Sequence, residues 1–180
     1  ATGIVRRIDD LGRVVVPKEI RRTLRIREGD PMEIFTNRDG EVILKKYSPI
    51  GEIDAFAKQY AESLAAVSGC YVVISDRDQV IAVSGGVKKE YIGRRISHEL
   101  EEIMEQRRTV NTDTDNVKTI TIIDGQDVSD MGQIIFPIIC EGDVIGSVVL
   151  MSKTEKQQVS DTEKKLVSVA ADFLGRQMES

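Results

Sequence analysis

Residues 3–24, GIVRRIDDLGRVVVPKEIRRTL, decide the fold of the first part of the chain. Two short runs rich in β-branched residues, 4–8 and 13–16, flank residues 9–12, which are of types that tolerate turn geometry. The spacing therefore predicts two strands joined by a turn. A proline follows at once, and because its missing N–H costs nothing at the first helical position, a short helix is predicted over residues 17–24.

The next part of the segment predicts a hairpin. Strands are expected over residues 32–37 and 41–47, and Arg38-Asp39-Gly40 between them is a turn signal. A unit of fifty residues with so little apolar surface commonly needs a metal, a disulfide or a partner chain. Metal ligands and cysteines are absent from it, so the sequence predicts an obligate, intertwined dimer.

Charge divides the chain at the same place. The whole chain carries a net charge of −5, but residues 1–50 hold 11 basic and 8 acidic residues, whereas residues 51–180 hold 14 and 22. An acidic protein that concentrates arginine at one end keeps one surface positive for a polyanion. The alternative is an ordinary solvated face. The basic residues concerned are Arg6, Arg7, Arg13, Lys18, Arg21, Arg22, Arg25 and Arg27.

The strings TGIVRRIDDLGRVVVPKEIRRTL, GDPMEIF and EVILKKY resemble the AbrB-type swapped-hairpin DNA-binding domain. That resemblance implies an intertwined β-barrel dimer that binds double-stranded DNA. In this family four arginines contact DNA, and the matching positions are Arg6, Arg13, Arg21 and Arg22. Arg7, at a position that is basic in relatives, and Lys18 complete the predicted DNA-binding set. Arginine also offers a planar fork of donors that suits phosphates and guanine edges.

Residues 48–51, Ser-Pro-Ile-Gly, mark a boundary, so the predicted domains are 1–50 and 51–180. Hydrophobic periodicity in the second domain predicts an α+β fold with an antiparallel sheet. Its predicted helices cover residues 51–68, 97–106 and 161–178. Its predicted strands cover residues 71–75, 80–84, 118–124, 133–140 and 144–151.

The last helix carries more apolar surface than one sheet face needs. We expect one of its stripes to pack on the sheet and the other to meet the opening helix or a second chain. The stripes are Leu166, Val169, Ala170 and Phe173, and Val167, Ala171, Leu174 and Met178. The opening helix has a matching seam of Ile53, Ala57, Tyr60, Leu64 and Val67.

The order of elements and the ending EGDVIGSVVLMS resemble a GAF domain, a small sensory module that often pairs through its terminal helices. Joined to the first domain, it resembles a family of developmental transcription factors of endospore-forming bacteria. The resemblance implies an activator and repressor acting on the nucleoid in the forespore cytoplasm. It also implies a tetramer assembled from both domain types.

GAF pockets lie under covering loops, here expected over residues 84–116 and 124–132. The Asn-Lys-x-x-x-Phe-x-x-x-Asp-Glu string of cyclic-nucleotide-binding members is absent, and the single histidine, His98, argues against haem. No cofactor or metal is predicted. A small apolar or amino-acid-like effector and an empty assembly domain both remain open.

Catalytic motifs are also missing, since the sequence has no nucleophile elbow, P-loop or metal-ligand spacing. We therefore predict no enzymatic activity. No stretch approaches a membrane span in length. The main alternative function is a protein-interaction module such as an antitoxin, because swapped-hairpin domains also occur in that class.

Overall fold

The computed structural model describes residues 3–126, 128 and 130–179. It divides the chain into two compact units, Ala1–Tyr47 and Ser48–Ser180. No helix among the described residues is long and apolar enough to cross a membrane.

The first unit contains one short helix and one hairpin. Helix α1 spans Lys18–Thr23, and the antiparallel strands β1 and β2 span Met32–Thr36 and Val42–Lys46. Pro17 caps α1 from just outside it, with a ψ of 147°, one position before the place that the sequence predicts. The hairpin turn is closed by the Asn37 side chain, whose Oδ1 accepts hydrogen bonds from two backbone N–H groups of the turn.

The two strands predicted over residues 4–8 and 13–16 do not form within the chain, and this prediction is wrong for the isolated protomer. The turn between them is present, since Asp9 N–H donates to the Arg13 carbonyl oxygen at 3.0 Å and Gly12 N–H to that of Asp9 at 3.0 Å. A strand requires a neighbour that satisfies its backbone groups. The described part of a single chain supplies none to these segments.

The first unit buries almost none of its apolar surface. Apart from Pro17, every buried apolar side chain of the described residues lies at position 50 or later. Burial of each such side chain supplies roughly 1.5–3 kcal/mol, so a unit without it lacks the main driving force for folding. The exposed side chains include Ile4, Val5, Ile8, Leu11, Val14, Val15, Ile34, Phe35, Val42 and Ile43.

The second unit is an antiparallel sheet with helices on both faces. Its strands lie in the order β4-β3-β7-β6-β5. The strands are β3 (Tyr71–Asp76), β4 (Val80–Ser84), β5 (Val110–Asn111), β6 (Gln133–Cys140) and β7 (Asp143–Met151). The helices are α2 (Asp54–Ser68), α3 (His98–Glu105), α4 (Thr112–Asp115) and α5 (Asp161–Arg176). This confirms the α+β class and the antiparallel sheet.

The strand predicted over residues 118–124 is wrong, and β5, which the sequence pattern did not predict, occupies the sheet edge instead. The reason is the Gln133 side chain. Its amide accepts a hydrogen bond from Ile120 N–H at 3.0 Å and donates one to the Ile120 carbonyl oxygen at 3.0 Å. One side chain thus satisfies the two backbone groups of Ile120, which a neighbouring strand would otherwise have paired.

Each face of the sheet has its own apolar core. Helices α2 and α5 cover one face, where Ile74, Ile138 and Leu150 are buried. Helix α3 and the irregular segments around it cover the other, where Val73, Ile135 and Val149 are buried. Adjacent residues of each strand therefore lie in opposite cores, which explains why the strand sequences are continuous apolar runs.

Helix α5 begins as predicted. One of its two stripes is largely buried, whereas the other is buried at Ala170, half-buried at Leu166 and exposed elsewhere. Ser160 and Glu163 form the capping box, a reciprocal pair that satisfies backbone N–H groups at the start of the helix. Val167, Ala171 and Leu174 are buried. On the second stripe Val169 stays 60% exposed, while the Phe173 ring lies 5.2 Å from that of Tyr60 on α2.

The opening helix follows its predicted seam in part. Ala57 and Leu64 are buried, but Val67, one residue before the end of α2, is 73% exposed. The side chain of Ile53, predicted to start the seam, lies outside the described residues.

Gly175 allows α5 to approach the sheet closely, and replacing it should destabilise the second unit. A Cβ atom there would lie 2.2 Å from the Ile139 carbonyl oxygen. We expect Gly175→Ala to lower the free energy of unfolding by about 3 kcal/mol, because a backbone atom must move. Urea unfolding followed by circular dichroism measures this. Ser168→Ala, on the exposed face of the same helix, is the control, and equal midpoints for the two variants would contradict the prediction.

Candidate nucleic-acid interface

The six basic residues predicted to bind DNA are all exposed in the first unit. They occupy three places along its chain: the amino-terminal segment, the turn that follows it, and α1. The set is Arg6, Arg7, Arg13, Lys18, Arg21 and Arg22.

Helix α1 gathers three of these residues on one face. Lys18, Arg21 and Arg22 are spaced three and four residues apart, a spacing that places side chains side by side on a helix. Ile20 and Leu24, 37% and 50% exposed, share a different face. The helix therefore has one cationic face and one apolar face, and neither is covered by the described part of the same chain.

Arg13 is held by the turn that precedes it. Its Nε donates to Asp9 Oδ2 at 2.8 Å, and its backbone N–H donates to Asp9 Oδ1 at 2.8 Å. Leu11 N–H donates to the same Oδ1 at 3.0 Å. The backbone N–H of Arg13 is the main cause that lowers the pKa of Asp9, followed by the Arg13 guanidinium. Asp9 thus orients the guanidinium, and the pair is exposed enough for a phosphate to compete with it.

The remaining predicted residues have no such partner. Within residues 3–126, 128 and 130–179, Arg6, Arg7, Lys18, Arg21 and Arg22 make no ion pair. Their charges are therefore not neutralised by carboxylates of the same described chain. The structure does not join Arg6 and Arg7 to the α1 face by any hydrogen bond or ion pair.

Other basic residues of the first unit have a structural role. Lys46 Nζ donates to the Arg25 carbonyl oxygen at 2.9 Å and lies 3.7 Å from Asp30 Oδ2. The same carboxylate accepts from the backbone N–H of Arg27 at 2.8 Å. These contacts tie the residues after α1 to β2. The positive φ of Arg25, 52°, marks the sharp end of the helix region.

In the second unit, the sheet face under α3 carries buried polar groups among apolar ones. The hydroxyls of Ser75 and Ser147 lie 2.7 Å apart with both residues fully buried, and Gln133 is fully buried as well. No three His, Cys, Asp or Glu side chains of the described residues converge as metal ligands.

Two protein families match this chain in succession. Residues 5–52 match the family described as "Antidote-toxin recognition MazE, bacterial antitoxin". Residues 52–179 match the family described as "Stage V sporulation protein T C-terminal, transcription factor". The second match alone spans more than half of the chain.

Similar proteins are known from Bacillus subtilis (strain 168). Stage V sporulation protein T is 56% identical over 179 residues, which are 99% of this chain and 98% of that protein. The transition state regulatory protein AbrB is 59% identical over 49 residues, 27% of this chain and 50% of that protein. The first similarity runs through both units.

Solved structures resemble the second unit in fold. Residues 122 to 287 of a methyl-accepting chemotaxis protein align with a TM-score of 0.58 at 18% identity, over 71% of this chain and 93% of that one. The GAF domain of an Acinetobacter phosphoenolpyruvate-protein phosphotransferase aligns with a TM-score of 0.53 at 12% identity, over 72% and 90%. The predicted GAF-like fold is confirmed.

The turn that orients Arg13 should depend on pH. Because the folded state lowers the pKa of Asp9, its carboxylate stabilises the turn above the ordinary aspartate pKa of about 3.9, and this stabilisation disappears as pH falls through the folded-state value. Carboxyl-detected NMR titration should give Asp9 a pKa below the ordinary aspartate value. An ordinary or raised pKa for Asp9 would contradict the arrangement.

Proposed function

This chain belongs to the stage V sporulation protein T family of transcription factors, and we propose that it regulates sporulation genes by gripping duplex DNA with the arginines of its first unit. It is a DNA-binding regulator with an AbrB-like domain followed by a GAF-like domain. We assign residues 1–50 to DNA binding and residues 51–180 to assembly and sensing. Regulation, rather than catalysis, is the proposed activity.

The observation that carries this proposal is the exposed cationic surface of the first unit. Lys18, Arg21 and Arg22 share one helix face, and Arg13 is oriented by Asp9 at a turn. With Arg6 and Arg7 they form the proposed DNA-binding set. Since these side chains sit on a turn and a six-residue helix, the interface differs from a helix-turn-helix, which inserts a longer recognition helix into the major groove. Phosphate contact and DNA shape should dominate its specificity.

We propose that the first unit acts as an intertwined dimer. Its segments 4–8 and 13–16 hold five apolar side chains that are 49–92% exposed, and the chain offers these segments no strand partner in its described part. A second copy would pair both segments and bury those side chains at once. A two-fold axis would also double the cationic surface, which suits duplex DNA.

The tetramer is proposed from the terminal helices of the second unit. Val169 and Phe173 on α5 and Phe56 on α2 form an apolar strip that is 36–60% exposed. Such a strip on a helix pair is typical of helix–helix association. Paired in this way, the second units would join two first-unit dimers.

We place this activity in the forespore cytoplasm, on the nucleoid, with both activation and repression as outputs. A small-molecule effector is proposed for the sheet face under α3, where buried hydroxyls lie beside apolar side chains. Differential binding to two assembly states is the only way for such a ligand to change DNA affinity.

The antitoxin alternative has one specific observation in its favour, the family match of residues 5–52. A toxin-wrapping tail would be polar and would lack a core. The second unit instead buries a large apolar set on both faces of its sheet. Co-purification of a stoichiometric small protein with the full chain would favour the alternative.

Arginine replacements should separate DNA binding from folding. We expect Arg13→Ala and Arg21→Ala each to weaken binding to an operator duplex by about tenfold or more, because alanine cannot make charge-assisted hydrogen bonds to phosphates or bases. Fluorescence anisotropy measures the affinity. Arg38→Ala, in the exposed hairpin turn, is the matched control. Unchanged affinity in both test variants would contradict the assigned interface.

A charge placed on the apolar strip of α5 and α2 should convert the tetramer into dimers. We expect Val169→Glu to halve the molar mass measured by light scattering, because a carboxylate would be buried without a partner at the helix contact. Ser168→Glu, one residue away on the polar side, should leave the mass unchanged. A tetramer in both variants would exclude this strip as the contact.

A further inference from the structure

The second unit carries one basic segment in an otherwise acidic domain. Residues 86–95, GVKKEYIGRR, hold four basic residues and one acidic residue, whereas the rest of residues 51–180 holds 10 and 21. We call residues 86–95 the basic loop. Such a local reversal of charge marks a surface that attracts polyanions in a domain that would otherwise repel them.

The backbone of the basic loop is fixed to an edge of the sheet. Strand β4 lies at that edge. Gly93 N–H donates to the Val80 carbonyl oxygen at 2.8 Å, and Val80 N–H donates to that of Arg94 at 3.0 Å. Ile96 N–H donates to the Asp78 carbonyl oxygen at 3.0 Å. These bonds hold residues 93–96 on the sheet edge. Earlier in the loop, the N–H groups of Tyr91 and Ile92 donate to the Lys88 and Lys89 carbonyl oxygens at 3.1 Å. The loop is therefore an ordered platform, and ordering its backbone on binding would cost little.

The basic side chains of the loop are exposed, and three of the four have few partners. Lys88, Lys89 and Arg94 are exposed. Lys88 Nζ lies 3.9 Å from Glu90 Oε1, with both side chains at least 70% exposed, so this pair is weak. Lys89 and Arg94 make no ion pair with any residue that the structure describes. The Arg94 guanidinium lies 5.5 Å from the centre of the Tyr91 ring, which limits its freedom.

One end of the basic loop, at Arg95, lies near the residue at which the chain enters the second unit. Ser48, the first residue of that unit, donates its hydroxyl hydrogen to Asp76 Oδ2 at 2.9 Å. Asp76 N–H donates to the Gln79 carbonyl oxygen at 3.0 Å, and Gln79 bridges to Arg95 of the basic loop.

We propose that the basic loop is a second DNA-binding surface, which contacts the phosphate backbone of the duplex beyond the segment held by the first unit. This inference rests on the proposed function, since it extends the footprint of the same bound DNA. Lysine and arginine side chains on a fixed platform suit a regularly spaced phosphate chain, and no base contact is required. Each protomer contributes one loop, so the contacts would flank the operator on both sides.

The test compares duplexes of two lengths with the full chain. One duplex covers only the operator segment, and the other adds about ten base pairs to each end. We expect Lys88→Gln/Lys89→Gln/Arg94→Gln to bind the short duplex as the wild type does and the long duplex about tenfold more weakly. The slope of log affinity against log salt on the long duplex should fall by about 0.9 for each phosphate that the variant no longer neutralises.

The matched control is Lys118→Gln/Lys156→Gln/Lys165→Gln, which removes the same charge from exposed positions elsewhere in the second unit. It should bind both duplexes as the wild type does. An unchanged affinity of the basic-loop variant for the long duplex would overturn the proposal, and the loop would then serve another polyanion, such as an acidic protein. An equally weakened affinity in the control variant would overturn it too, because net charge alone would be the cause.

The proposed function fails in a different way. It would be contradicted if the wild type bound neither duplex, or if Arg13→Ala bound both as the wild type does. Retention of the wild-type melting temperature by the basic-loop variant shows that a weaker affinity is not caused by unfolding.

Discussion

The unburied apolar surface of the first unit is the constraint on which the rest depends. Side chains such as Val5 at 92% and Val15 at 70% exposure cannot stay in water in a stable fold of this size. Covering them with a second copy would at the same time supply strand partners to the segments on either side of the Asp9–Arg13 turn. Folding, dimerisation and the assembly of a DNA-binding surface thus become a single event in the proposed regulator.

The second unit follows the opposite strategy. Its sheet is covered on both faces, and its core residues alternate between the two sides of each strand, so it completes its own core within one chain. Two local features make this possible. Gly175 lets α5 approach the sheet, and the Gln133 amide replaces a missing strand neighbour at Ile120. In our proposal the apolar strip of α5 and α2 and the basic loop are the surfaces that take part in association.

Charge distribution links the two units to one ligand class. The first unit keeps the arginines of its proposed DNA-binding set away from its described carboxylates except at Asp9, which orients Arg13 rather than burying it. The second unit is acidic apart from the basic loop. In our proposal an acidic second unit limits non-specific binding, and its basic loop directs the contacts that it makes with DNA.

The sequence by itself determined the elements whose causes are local. The Ser160–Glu163 spacing predicted the start of α5, and the strands 80–84 and 133–140 were predicted to the residue. Only the tertiary structure decided which apolar runs become strands. Residues 118–124 look like a strand, but the side chain of Gln133, which lies on β6, satisfies the backbone groups of Ile120. Residues 4–8 look like one too, and their partner does not lie in the described chain. The local sequence pattern shows which side chains a segment can bury. Whether the segment pairs as a strand depends on its neighbour in space, which belongs to a distant part of the chain or to another copy.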